Sequence, residues 1–304
     1  MVDIIIVGAG PAGMTAALYA ARAGKTVTVL EKDAIGGQIV YSPMVDNYPA
    51  APHLSGAEFA ESLSSQIDEL GVAVETAEVM GVSVQNGGFA LATDAGERTC
   101  KALVLATGVK HRRLGLSGED ELVGMGVSYC AICDGAFYRG RRVAVVGGGD
   151  TALQDALFLA NGCERVALIH RRDEFRAEKR LIEQLRARDN IDLFMSHTVT
   201  ALRQAGGELN GLELRNEKSG EVRELKADGL FVAVGQEPQS AAFDALALTD
   251  AEGYFKAHED AQSAVAGLFV AGDCRAKGVR QLATAIGDGA VAGLVASRYV
   301  DANR

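Results

Sequence analysis

Short apolar runs alternate with amphipathic stretches along the whole chain, and most of the runs end in glycine. The first, residues 3–7, leads into Gly8-Ala9-Gly10-Pro11-Ala12-Gly13, then a helical stretch stopped by Gly24, then a strand over 25–30 that ends in Glu31. The same order returns at residues 142–146. There the run leads into Gly147-Gly148-Gly149-Asp150-Thr151-Ala152, a helix to about 160, and a strand over 165–169 that ends in His170-Arg171-Arg172. Each copy continues through polar-apolar alternation with hairpin glycines, over 72–100 and 191–226, into a closing apolar strand at 102–108 and 229–235. A third such strand, 267–272, precedes Asp273 and a C-terminal helix.

Alternating β and α elements with a turn-rich β segment predict an α/β protein of two Rossmann-like domains, doubly wound and three-layered, each with a β-meander insert. Three closing strands for two domains are explained if the second domain is inserted into the first. The predicted boundaries are 1–114 with 244–304 for the outer domain and 115–243 for the inserted one, with linkers near 114–119 and 238–243.

Composition narrows the function. A chain of 304 residues with 48% hydrophobic residues can bury the cores of two domains. A formal charge of -10 argues against nucleic-acid binding, which needs a basic surface to displace counterions. No run approaches a membrane span, and the apolar run at 4–7 is too short for a secretory leader. Five cysteines, an odd number, point away from a secreted disulfide framework and towards a reducing, cytoplasmic setting.

The first glycine turn sits between a strand and a helix, with an acid at the end of the next strand, the context in which such a turn binds a dinucleotide. Gly8 permits the tight turn, Gly10 lets a pyrophosphate approach the backbone, and Gly13 allows close helix packing. Glu31 would accept hydrogen bonds from an adenosine ribose. In the second copy that acid is replaced by His170, Arg171 and Arg172, with Arg176 one turn on. An acid there would repel a ribose 2′-phosphate, whereas guanidinium groups can clamp one. Two sites of opposite polarity suggest a tightly held FAD and an exchanging NADPH.

Cys130-Ala-Ile-Cys133-Asp134-Gly135 places two thiols at a spacing that permits a disulfide and, at a helix start, lowers a thiol pKa towards roughly 7. Half of a zinc site is the competing reading. That needs further ligands nearby, and Cys100, Cys163 and Cys274 are scattered, so no metal is expected.

Taken together, these motifs resemble the bacterial low-molecular-weight thioredoxin reductases over the whole chain. Gly8-x-Gly10-Pro11-Ala12-Gly13, Gly36-Gly37-Gln38, Ala106-Thr107-Gly108, and Ala271-Gly272-Asp273 with Arg280-Gln281 match that family's FAD segments. The resemblance adds Lys32, Asn47 and Ala283 to the FAD contacts. Gly147, Gly149, Asp150, Thr151, His170, Arg171, Arg172 and Arg176 fall in its NADPH segments. It further implies that Cys133 faces the flavin, that Cys130 attacks the substrate disulfide, and that Asp134 manages protons. Asp273 would hold the ribityl chain, and the helix opening near Gln281 would point its amides at the pyrimidine end of the flavin. The partner so implied is thioredoxin or a similar small protein, and the chain would form a homodimer. The sequence departs from the family pattern at Asp46-Asn47-Tyr48-Pro49-Ala50 and at Ile132.

The implied reaction is NADPH-dependent reduction of thioredoxin through FAD and the Cys130/Cys133 pair. The alternative is a related dithiol or disulfide oxidoreductase with another electron donor or acceptor, such as a ferredoxin-driven reductase, a type that tends to lose the basic NADPH motif intact here, or one serving a peroxiredoxin system. A non-catalytic redox sensor is the reading from a different class.

Overall fold

A computed structural model describes residues 1–304 except 43, 50, 52, 86 and 304, so Ala50 of the departing segment lies outside the described residues. Two compact units are present, Met1–Lys110 with Glu237–Arg304, and His111–Gln236.

The first unit starts with β1 (Val2–Val7), α1 (Pro11–Arg22) and β2 (Val27–Glu31). A 3-10 turn at Gly37–Tyr41 and α2 (Gly56–Asp68) lead to β3 (Ala73–Thr76), β4 (Val79–Gln85), β5 (Gly88–Thr93) and β6 (Gly96–Leu105). β7 (Val109–His111) carries the chain into the second unit. That unit holds β8 (Val127–Ser128), α3 (Ala131–Asp134), β9 (Arg142–Val146), α4 (Asp150–Leu159), β10 (Arg165–His170), α5 (Lys179–Arg186) and β11 (Ile191–Met195). It continues with β12 (His197–Ala205), β13 (Glu208–Asn216), β14 (Val222–Leu225) and β15 (Gly229–Val232). β16 (Gln236–Pro238) brings the chain back to the first unit for β17 (Leu268–Val270) and α6 (Leu282–Ala302).

Each unit has a five-stranded parallel sheet, and the two sheets match strand for strand. The first runs β3-β2-β1-β6-β17 and the second β11-β10-β9-β15-β8. The third closing strand of the sequence is thus β17, the edge strand of the first unit. Its counterpart β8 is supplied from before its own unit's glycine turn.

The β-meanders attach differently. β12-β13-β14 is a separate antiparallel sheet, whereas β4 and β5 join the first unit's main sheet through β6. On one edge β6 pairs antiparallel with β5 at residues 96–100 and then parallel with β17 at 103–105. The alternation from 72 and from 191 reads as hairpin, yet β3 and β11 are parallel edge strands. An edge strand covered on one face alternates like a hairpin strand, so pattern alone does not separate the two.

Both faces of these parallel sheets are covered, so their strands are almost continuously apolar. In the first unit Ile4, Ile6 and Val104 pack beneath α1, α2 and α6, while Ile5, Val7, Leu103 and Leu105 pack against Phe89, Leu91 and Phe255 on the opposite face. The second unit repeats the division, with Val143, Val145, Val166 and Leu168 towards α4 and Ala144, Ile169 and Leu230 towards Leu212 and Leu214 of the meander. α6 lies close on α1. A methyl on Gly289 would sit 2.3 Å from the Ala12 carbonyl oxygen, and one on Gly293 2.4 Å from that of Ala16.

Candidate functional site

The glycines of the first turn divide into two kinds. A Cβ on Gly8 (φ 106°) would lie 2.3 Å from the Ala106 oxygen, and one on Gly13 would lie 1.9 Å from the Gly8 oxygen. Both are fixed by internal packing. On Gly10, the residue that opens α1, the nearest atom to a Cβ is the Gly36 oxygen at 4.0 Å. None of the described residues fills that space, and a backbone exposed at the start of a helix is where a pyrophosphate docks.

The second turn repeats the division. A Cβ on Gly147 would meet the Ala233 oxygen at 2.4 Å and the Ala152 methyl at 2.6 Å, whereas Gly149 at the start of α4 has nothing within 4 Å. Asp150 accepts the Glu178 amide at 2.8 Å and ties the loop after β10 to this turn. Thr151 is exposed in the first turn of α4.

In the first unit Glu31 ends β2 and accepts the Ala9 amide at 2.7 Å and the Asp33 amide at 2.9 Å. Gly36, at φ 106°, donates its amide to the Ala9 oxygen at 2.8 Å, and Gly37 comes against Gly10, which brings the 36–38 segment over the turn. Lys32 pairs with Glu78 at 3.4 Å on the surface, and Gln38 is exposed. At the ends of β6 and β17, Thr107 Oγ1 and Asp273 Oδ1 are buried without a hydrogen-bond partner among the described residues. Burial pushes the Asp273 carboxyl up, against the pull of Lys277, whose Nζ lies 3.5 Å away. Gly108 follows with a left-handed φ of 67°.

α6 opens beside them. Gln281 caps it, its amide donating to Thr284 Oγ1 at 3.1 Å, and Gln281 Oε1 accepts from Asn47 at 3.1 Å. Arg280 lies over the Tyr254 ring and donates to the Asp273 carbonyl, and Ala283 is exposed in the first turn of α6. Asp288, which the sequence pattern does not single out, accepts from Gly272, Arg275 and Lys277 at 2.9–3.1 Å. Its partners are 11 to 16 residues away, beyond any local signal.

At the end of β10 the three arginines differ from the histidine. Arg171, Arg172 and Arg176 are exposed, and none of their guanidinium groups bonds or pairs with another group among the described residues. His170 is 8% exposed, with its ring seated where a Gly148 side chain would be, Nε2 3.0 Å from the Glu174 carbonyl, and Phe175 stacked on it. Burial lowers its pKa, so it shapes the loop as a neutral ring.

Cys130 and Cys133 form a disulfide, with Cα atoms 5.3 Å apart. Cys130 caps α3, and the Cys133 amide donates to its sulfur at 3.2 Å. Asp134 is held by Ser128, whose hydroxyl donates to Oδ2 at 2.6 Å, while Oδ1 is buried without a partner. Burial pushes this carboxyl up and the hydrogen bond from Ser128 opposes it. The motif follows edge strand β8, the place that Gly272-Asp273 holds after β17 in the first unit. Ligands of open α/β sheets gather at such carboxyl ends. No group of three or more metal-binding side chains occurs among the described residues, and no helix there is long and apolar enough to cross a membrane.

A family model described as pyridine nucleotide-disulphide oxidoreductase matches residues 2–289. A thioredoxin reductase of Listeria innocua is 39% identical over 301 residues, 98% of this chain and 94% of that one. The crystal structure of thioredoxin reductase from Streptococcus pyogenes superposes with a TM-score of 0.96 at 36% identity, over 99% of both chains. Thioredoxin reductase from Giardia duodenalis gives a TM-score of 0.93 at 32% identity, again over 99% of each.

Proposed function

This chain belongs to the pyridine nucleotide-disulphide oxidoreductase family, and we propose that it works there as an NADPH-dependent thioredoxin-disulfide reductase. The observation that carries the reading is the Cys130–Cys133 disulfide with a buried, partly unpartnered carboxyl beside it, in a unit with a dinucleotide turn of its own.

The residues fit both nucleotides. In the first unit the open backbone at Gly10, the carboxylate of Glu31, the buried Thr107 hydroxyl without a hydrogen-bond partner among the described residues, and the Asp273 carboxyl beside Lys277 suit FAD. Gly36, Gly37, Gln38, Asn47, Gly108, Arg280, Gln281 and Ala283 stand around them. In the second, open Gly149 and the unpaired guanidinium groups of Arg171, Arg172 and Arg176 suit the pyrophosphate and 2′-phosphate of NADPH. When bound, these groups supply two-electron transfer from NADPH by way of FAD to the disulfide.

The protein's own part is thiol chemistry. Reduction opens the disulfide to two sulfurs that take up two protons. Cys130 then bonds to one thioredoxin sulfur, the thioredoxin S–S bond breaks, and the departing sulfur takes a proton. Cys133 attacks Cys130, which closes the enzyme disulfide and releases the second thioredoxin thiol. The Cys133 amide, already aimed at the Cys130 sulfur, favours its thiolate. Asp134, whose carboxyl burial pushes up from its ordinary value, carries the protons. The remaining cysteines are buried free thiols, in keeping with a reducing cytoplasm, and the homodimer rests on the family resemblance.

Cys130→Ser and Cys133→Ser test this. Each should abolish thioredoxin reduction and still allow NADPH to bleach the flavin, and Cys133→Ser alone should trap a mixed disulfide with thioredoxin. Substantial thioredoxin turnover by either variant would overturn the proposal.

A further inference from the structure

Ser128 ends β8 two residues before the first cysteine and is 4% exposed. Its oxygen accepts the Cys130 amide at 3.1 Å, and its hydroxyl lies 2.6 Å from Asp134 Oδ2. The Cys130 carbonyl is a second acceptor at 3.4 Å. A hydroxyl has one hydrogen, and the nearer, more basic carboxylate oxygen takes it. Oδ2 is therefore the acceptor while Asp134 is ionised. Oδ1, buried and without a partner among the described residues, is where a proton can come and go.

We propose that Ser128 is a positioning residue for disulfide exchange, holding the Asp134 carboxyl so that its exchangeable proton resides on Oδ1. This rests on the reading of Asp134 as the proton carrier. As the Cys130 sulfur bonds to a substrate sulfur, its thiol proton passes to Oδ1, the substrate S–S bond breaks, and the leaving sulfur takes a proton from Oδ1. Ser128 gains and loses nothing in the cycle. Because it also holds the Cys130 amide, one side chain ties the attacking residue to the proton carrier.

Other titratable groups stand on the elements around α3. Tyr138, in the 3-10 turn that follows, has a phenol pushed up to about 12 by burial and the nearby Asp134 charge. On α4, which packs against α3, the Asp155 carboxyl is pushed up to about 6 by burial. Asp155 is the one of these two that titrates near neutrality, so its variant is the necessary control.

The test is the rate at which NADPH-reduced holoenzyme reduces thioredoxin, followed against pH in the native protein and in S128A, S128T, D134N, D155N and S128A/D155N. The limb that D134N removes belongs to Asp134. S128A should slow exchange roughly tenfold and move that limb to higher pH, because the lost hydrogen bond favoured the carboxylate. S128T should restore rate and limb, and the shift should persist in the D155N background. An S128A profile superposable on the native one, with D134N still slow, overturns the role of Ser128 and keeps that of Asp134. A loss in S128A that S128T does not restore reduces Ser128 to packing and also overturns it. Unchanged rate and profile in D134N overturn the reading of Asp134 itself.

Discussion

The Glu31 carboxylate accepts the Ala9 amide at 2.7 Å, tying the end of β2 to the middle of the first glycine turn. The acid proposed to meet the FAD ribose therefore also fixes the turn. Glu31→Gln should lower FAD affinity about tenfold or more, because its NH2 group must oppose one of two backbone amides, and hydrogen bonds to a charged group contribute roughly 1.5–3 kcal/mol. Titrating apoprotein with FAD by flavin fluorescence quenching measures this, and an unchanged Kd would remove Glu31 from the site.

The two kinds of glycine should separate on substitution. Gly13→Ala drives a methyl into the Gly8 carbonyl at 1.9 Å, so it should destabilise the fold by about 1–3 kcal/mol or more, read as a fall in Tm of the apoprotein. Gly10→Ala and Gly149→Ala meet nothing closer than 4.0 Å. They should leave the apoprotein Tm nearly unchanged while weakening FAD and NADPH binding respectively.

The unpaired arginines predict coenzyme choice. Replacing Arg171 and Arg172 together with Ala should narrow the preference for NADPH over NADH by at least about tenfold in kcat/KM, exposure to solvent limiting the effect. An unchanged preference would put the 2′-phosphate elsewhere.

Asp134 should leave a mark on stability. Its carboxyl is raised in the native state, so folding favours its protonated form. The stability this group contributes is complete below the ordinary carboxylate pKa and is lost as pH rises through the raised native value. Asp134→Asn, which never ionises, should therefore unfold at higher temperature than the native oxidised protein at pH 8, with the gap closing below about pH 4. Equal melting curves at both pH values would mean that Asp134 is not raised.

Whatever depends on neighbours along the chain was legible from the residues alone. Two glycine turns between strand and helix, an acid after one and arginines after the other, and two cysteines three apart are local facts, and the repeated order of elements revealed the duplicated α/β plan. His170 shows where such reading stops. In sequence it extends the basic run, yet its ring turns inward over Gly148, because a histidine at a strand end is equally able to fill a buried gap as to present a charge. Asp288, Thr284 and Ser128 had no signal of their own, since a serine before a cysteine or an acid within a helix is unremarkable until its partners arrive. Tertiary structure alone decided that β17 and β8 take the same edge of their sheets, which sets Asp273 and the cysteine pair at equivalent strand ends. An edge strand is chosen by which backbone is left unpaired after the sheet forms. That choice depends on contacts far apart in the chain and leaves no periodicity in the segment chosen.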